Sequence, residues 1–264
     1  MKKINSLVII FFALLLLLCG CSNESSALTE EITPEIEAAV SEAILKENDN
    51  THYEGECPAE GHIIFGMKTN NKTICVYTYM AYVNFGFENG NFVDVSGCQM
   101  PAVYTFDADT YELLEAEYPE DGATYSSSIK KLFPKKYRSR LGGLGIVRNM
   151  VLDNQLKKYA HTYLKSIDRK AKVGSMRDFE YPLLTDSGVS VDVSNALGDI
   201  EKNAPYPYWI GNKEILENGV RFVYQMDYDK EKKLIIYSKY KYNHPNTIEE
   251  KIVVDALTGK IINE

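Results

Sequence analysis

Thr73-Ile74-Cys75-Val76-Tyr77-Thr78-Tyr79-Met80-Ala81-Tyr82-Val83-Asn84-Phe85-Gly86-Phe87 runs through Glu88-Asn89-Gly90-Asn91 into Phe92-Val93-Asp94-Val95-Ser96, and this stretch decides the fold. Its first part is rich in tyrosine and β-branched side chains, which suit a pleated, half-buried surface. The Asn-Gly pair favours a tight hairpin, so the two runs are expected to pair antiparallel. Upstream, His62 to Lys68 is short and apolar and ends in the turn residues Thr69-Asn70-Asn71-Lys72. Downstream, Gly97 reads as a break, Ala102 to Phe106 as a strand, and Asp107-Ala108-Asp109-Thr110 as a turn into Tyr111 to Tyr118.

Before this block, Thr33-Pro34-Glu35 starts a helix: a capping hydroxyl, a proline in the first turn and acids at the positive end of the dipole. Ile36, Ala39, Val40, Ala43 and Ile44 recur at helical spacing, and Asn48-Asp49-Asn50 end the run. The expected fold class is therefore α+β, with an N-terminal helix packed on an antiparallel four-stranded sheet.

After the sheet, Ser126-Ser127-Ser128 is read as the cap of a short basic helix before Phe133-Pro134. Asn149 to Lys170 is the clearest helix, with Leu152, Leu156, Tyr159, Tyr163 and Ile167 forming one stripe. Residues 175–264 read as a smaller β-rich C-terminal domain. It opens on a loop-like stretch and carries strand signals at Val220 to Tyr228, Lys233 to Tyr242 and Ile248 to Val254. Residues 32–174 then form the α+β domain. Val254-Asp255-Ala256-Leu257-Thr258 echoes Phe106-Asp107-Ala108-Asp109-Thr110, and both read as turns in which Asp accepts from its own backbone.

The chain begins with Lys2 and Lys3, then an uncharged run from Leu7 to Leu18. That run falls short of the roughly 20 apolar residues of a membrane-spanning helix. Charged start plus short apolar core is the layout of a secretory signal. It ends in Leu18-Cys19-Gly20-Cys21, which resembles the lipobox of bacterial lipoproteins. The resemblance implies a signal peptide over residues 1–20, cleavage before Cys21 and a diacylglyceryl group on its sulfur. Residues 21–31 are small, polar and acidic and read as a flexible tether.

Loss of Lys2 and Lys3 takes the net charge from −8 to −10, which argues against nucleic acid as a partner. The charge is uneven: Lys130 to Lys172 holds thirteen Lys/Arg against Asp153 and Asp168. Lys130, Lys131, Lys135, Lys136, Arg138 and Arg140 are candidates for contact with an anionic surface, either lipid or wall polymer, against the plainer reading of solvated helix faces. Beyond Cys21, three cysteines remain, Cys57, Cys75 and Cys98, so at most one internal disulfide is expected.

Catalytic signatures are missing from the sequence. There is no His-Glu-x-x-His to hold zinc, and His52, His62, His161 and His244 stand apart. Ser127/Lys130 and Ser128/Lys131 match Ser-x-x-Lys, but no Ser-Asp-Asn or Lys-Thr-Gly accompanies them. Asp107 and Asp109 begin like a calcium loop that Tyr111 and Glu112 break off. No enzyme activity and no cofactor or metal is expected. The alternative is a wall-directed hydrolase whose carboxylates only the fold brings together.

Gly61-His62-Ile63-Ile64, Tyr82 through Gly97, Pro101 through Phe106, Tyr118-Pro119-Glu120-Asp121-Gly122, Ile129 through Pro134, Tyr206-Pro207-Tyr208-Trp209-Ile210-Gly211 and Glu217 through Arg221 carry a resemblance. They look similar to an extracytoplasmic region of Gram-positive lipoproteins that also occurs fused to transmembrane metallopeptidases of the β-lactam-sensor type. The resemblance implies location outside the cell membrane and association with signalling proteins, and assigns no residue an activity. Tyr206, Tyr208 and Trp209, in a proline-broken loop, are the candidate partner-binding residues, against the plainer reading that Trp209 plugs a core. The expected function is a membrane-anchored, non-catalytic binding or accessory module for a membrane sensor, a wall polymer or a partner protein. A purely structural or inhibitory lipoprotein is the remaining alternative.

Overall fold

The computed structural model describes residues 31–48, 55–143, 145–198, 200 and 204–262. The signal peptide, Cys21 and all of the tether but its last residue lie outside them. Residues 32–264 form one compact unit.

Helix α1, Pro34–Asn48, buries Ile36, Val40, Ala43 and Ile44 on one stripe, as its 3.6-residue spacing requires. Strands β1 (Cys57–Thr69), β2 (Thr73–Glu88), β3 (Asn91–Asp107) and β4 (Leu113–Glu117) follow as an antiparallel meander. The Asn-Gly hairpin forms as expected, with Glu88 paired to Asn91 and both Asn89 and Gly90 at positive φ. The structure is mixed α+β, with a helix on an antiparallel sheet, further helices and C-terminal strands.

The Gly97 break does not occur. β3 runs straight through it, because Gly97 lies opposite Val83 and a Cβ there would collide with the Tyr82 carbonyl and the Val83 backbone. Here glycine permits close approach of two strands, which a sequence pattern cannot tell from a loop.

Helices α2 (Tyr125–Leu132), α3 (Lys135–Gly143) and α4 (Gly145–Ser166) come next. The three serines do not cap α2, whose N-cap is Thr124 without a side-chain bond. Ser127 and Ser128 donate back to the Thr124 and Tyr125 carbonyls instead, and Ser128 Oγ accepts from the Glu120 N–H. α4 begins four residues earlier than the apolar stripe suggests.

A short β5 (Val173–Ser175) runs parallel to Phe92–Asp94 of β3. The loop-like stretch then contains helix α5 (Val191–Ala196), capped by Ser190 Oγ on the Val193 N–H. Strands β6 (Gly211–Glu217), β7 (Val220–Asp229), β8 (Leu234–Lys241) and β9 (Ile248–Asp255) close the fold. The boundary expected at 174/175 falls inside the compact unit, because β6 pairs with the end of β2 at Phe87–Glu214 and Glu88–Lys213. One sheet spans both halves, although the C-terminal half keeps its own core of Leu184, Val193, Tyr206, Met226, Ile235, Tyr237 and Val254. Among the described residues, no helix is long and apolar enough to cross a membrane.

Candidate functional site

Alternation along β1 points Glu60 and His62 to the same side, and both are buried. His62, which stands apart in the sequence, lies between two carboxylates: Nδ1 is 2.9 Å from Glu60 Oε2 and Nε2 is 2.7 Å from Glu37 Oε2 on α1. Glu60 Oε1 also accepts from Ser41 Oγ at 2.7 Å and from the Tyr159 hydroxyl of α4 at 3.0 Å. Gln155 of α4 completes the set by bonding both backbone groups of His62. One residue pair on β1 thus ties both flanking helices to the sheet.

Burial alone disfavours the imidazolium, but hydrogen bonds and charge from Glu60 and then Glu37 outweigh it and hold the His62 pKa above its ordinary value. Burial likewise pushes the Glu60 carboxyl up, and His62, Ser41 and Tyr159 overcome it, leaving the pKa low. Charged His62 donates from both ring nitrogens. Ser41 donates to Glu60, not to the imidazole, so serine and histidine do not form a nucleophile–base pair.

A second charged cluster sits where the two halves of the sheet meet. Arg221 of β7 grips Glu56 with two bonds of 2.6 and 2.8 Å. It also reaches Glu214 of β6 at 3.4 Å, and Glu214 is held in turn by both terminal nitrogens of Arg169. Tyr163 donates to Glu56 at 3.1 Å, and the Arg169 guanidinium lies 3.7 Å from the Phe87 ring centroid. A groove of about 430 Å³ opens beside it, lined by Asn89, Arg169, Asn212, Glu214, Tyr240 and Tyr242.

A groove of about 550 Å³ lies between β3 and α4 and is lined among others by Asp94, Gln99, Asn149, Asp153 and Arg177. Burial raises the Asp94 carboxyl, helped by the nearby Asp178 and Asp153, and the Met176 N–H bonded to its Oδ1 only partly offsets this. Among the described residues, no group of three His, Cys, Asp or Glu side chains is placed to hold a metal ion. Cys57, Cys75 and Cys98 are all free thiols, and burial pushes Cys57 up to about 12.

The expected aromatic surface does not exist as such. Tyr206 and Trp209 are buried, and only Tyr208 faces solvent, at 60 % exposure. Tyr206 packs edge-on against Tyr224 and Tyr237, and Trp209 lies between Tyr181 and Tyr208. The proline-broken loop folds inward because burying its rings removes a large apolar area from water. Of the basic candidates, Lys130, Lys131, Lys135, Lys136 and Arg140 are exposed and Arg138 is half-buried. Arg140 also donates to the Phe65 carbonyl at 3.0 Å. His161 is exposed on α4.

Sequence reading missed the Glu60–His62 pair and the Glu56, Glu214, Arg169 and Arg221 cluster. The first left a faint signal, since an acid and a histidine two apart within an apolar run share a buried face. The second left none, because its members are up to 165 positions apart. Comparison with protein-family models, with curated proteins and with solved structures gives no match.

Proposed function

We propose that this chain is an extracytoplasmic lipoprotein, held at the membrane by a lipid on Cys21. In this reading it acts as a non-catalytic binding or accessory module for a membrane sensor, a wall component or a partner protein. The observation that carries the proposal is Leu18-Cys19-Gly20-Cys21 directly after an uncharged run with a dibasic start. A diacylglyceryl group buries two chains at about 0.8 kcal/mol per methylene, enough for durable anchoring where one chain is marginal. The accessory reading draws support from how the buried ionisable side chains are used. Glu60, His62, Glu56, Glu214 and Arg221 are closed on one another as bridges between elements. In the β3–α4 groove, Asp94 has one oxygen occupied by a backbone N–H.

Mass spectrometry of the protein taken from its native membranes tests the anchor. The N-terminal peptide is expected to start at Cys21 and carry the mass of two or more acyl chains, and the Cys21→Ser protein is expected to lack that species. An unmodified Cys21 inside a longer N-terminal peptide would falsify the lipoprotein reading. Crosslinking in intact cells tests the accessory role: a membrane or wall component is expected to co-purify reproducibly, and recovery of none removes it.

A further inference from the structure

From Gly122 to Leu152 the chain holds seven Lys/Arg and not one Asp or Glu. This stretch builds α2, α3 and the start of α4. Their inner sides share a single core: Ile129, Leu132, Phe133, Tyr137 and Leu141 meet Leu152 and Leu156 over Phe65, Tyr77 and Tyr79 of the sheet. With those sides turned inward, the outer sides of the segments face solvent.

That outer surface is not uniformly polar. Ile146, Val147, Met150 and Val151 are 80, 61, 61 and 40 % exposed, whereas the adjacent Leu152 is 2 % exposed. Positions i, i+1, i+4 and i+5 form one contiguous helical stripe. Four large apolar side chains grouped on one solvent-facing surface mark an interaction site far more often than scattered ones do. Lys130, Lys131, Lys135, Lys136 and Arg140 stand exposed on the two helices just before it.

We infer that this face docks on an anionic lipid bilayer, with Ile146, Val147, Met150 and Val151 entering the headgroup–acyl boundary and the lysines of α2 and α3 resting on the phosphates. The pairing of stripe and charge selects this occupant. A basic surface alone suits any polyanion, whereas a basic surface beside an exposed apolar stripe matches a bilayer, which offers negative charge and an apolar phase within one side-chain length of each other. Two copies meeting through this same face would bring five or more like charges from each copy together, which repulsion opposes. The inference deepens the reading of an anchored protein by naming the face turned to the membrane. It rests on exposure and charge and does not require the lipid on Cys21.

Residues 32–264 contain the four hydrophobic cores found among the described residues and serve as the test protein. Sedimentation with phosphatidylglycerol-rich vesicles is expected to carry it down, and phosphatidylcholine vesicles are expected to leave it in solution. Joint replacement Ile146→Ser, Val147→Ser, Met150→Ser and Val151→Ser keeps the charge and should weaken binding by about tenfold or more. Lys130→Gln, Lys131→Gln, Lys135→Gln and Lys136→Gln should each cost about fivefold. In an Ile146→Trp protein, anionic vesicles should shift the new tryptophan's emission to the blue, above the steady signal of buried Trp209. Circular dichroism checks that each variant keeps its fold. Three results would overturn the inference: apolar replacements that leave vesicle binding unchanged, soluble polyphosphate bound as tightly as vesicles, or a stable dimer that the serine replacements dissociate. Failure of the Cys21 experiment with success here would remove the anchor and keep the docking face.

Discussion

In the N-terminal half of the sheet, β2 is covered on both faces; in the C-terminal half, β7 is covered on both only near the seam and on one beyond it. Ile74, Val76, Met80 and Tyr82 of β2 pack under α1, while Tyr77, Tyr79, Ala81, Phe85 and Phe87 pack under the helices α2 to α4. Tyr224 and Met226 of β7 meet Leu184, Val189, Val193 and Leu197, while the other face holds Arg221 and the buried Val223 at the seam and then turns polar at Gln225 and Asp227. Only two residue pairs join β2 to β6. The difference teaches where charge is used: the two-sided half buries Glu60 and His62 to fix its helices, and the seam buries Glu56, Glu214, Arg169 and Arg221 to hold the halves together.

The largest expected effect breaks the seam. Arg221→Met leaves Glu56 buried without its bidentate partner, and uncompensated buried charge costs about 3–5 kcal/mol. Denaturant unfolding should show that loss, and hydrogen exchange should show β6 to β9 opening before β1 to β3. Uniform exchange across both halves would mean that the seam does not limit the C-terminal half.

A smaller effect sharpens the role of charge in the two-sided half. The folded pKa of His62 is raised, so its stabilisation is complete below the unfolded value of about 6.5 and fades as pH climbs through the folded value. The folded pKa of Glu60 is lowered, so its share is present above about 4.5 and fades as pH falls through the folded value. His62→Gln should cost about 1–3 kcal/mol near pH 6 and flatten the decline on the alkaline side. Melting curves across pH check this. An unchanged slope above pH 6.5 would assign that decline to another group.

The smallest effect tests whether the halves end alike. Asp107 Oδ1 accepts from the N–H groups of Asp109 and Thr110 and from Thr110 Oγ1, and Asp255 Oδ1 accepts from Leu257, Thr258 and Thr258 Oγ1 in the same order. Asp107→Ala and Asp255→Ala should therefore lower the melting temperature by similar amounts, each less than His62→Gln. A markedly larger loss at one turn would show that its half depends on closure at that end.

The sequence by itself determined what local chemistry determines. The Asn89-Gly90 hairpin, the α1 stripe and both Asp turns depend on side chains within a few residues of each other, so their patterns appear in the letters. Tertiary structure alone decided the rest. It placed Glu60 and His62 against Glu37 and drew Trp209 and Tyr206 inward, while Ile146 and Met150 stayed outside. It also ran one sheet across the expected boundary through β6, which pairs along its whole length with β7 and at Glu214 and Lys213 with the end of β2. The physical reason is common to these cases. Burial and ion pairing depend on which surfaces meet, and residues that meet here lie as far apart as Glu56 and Arg221.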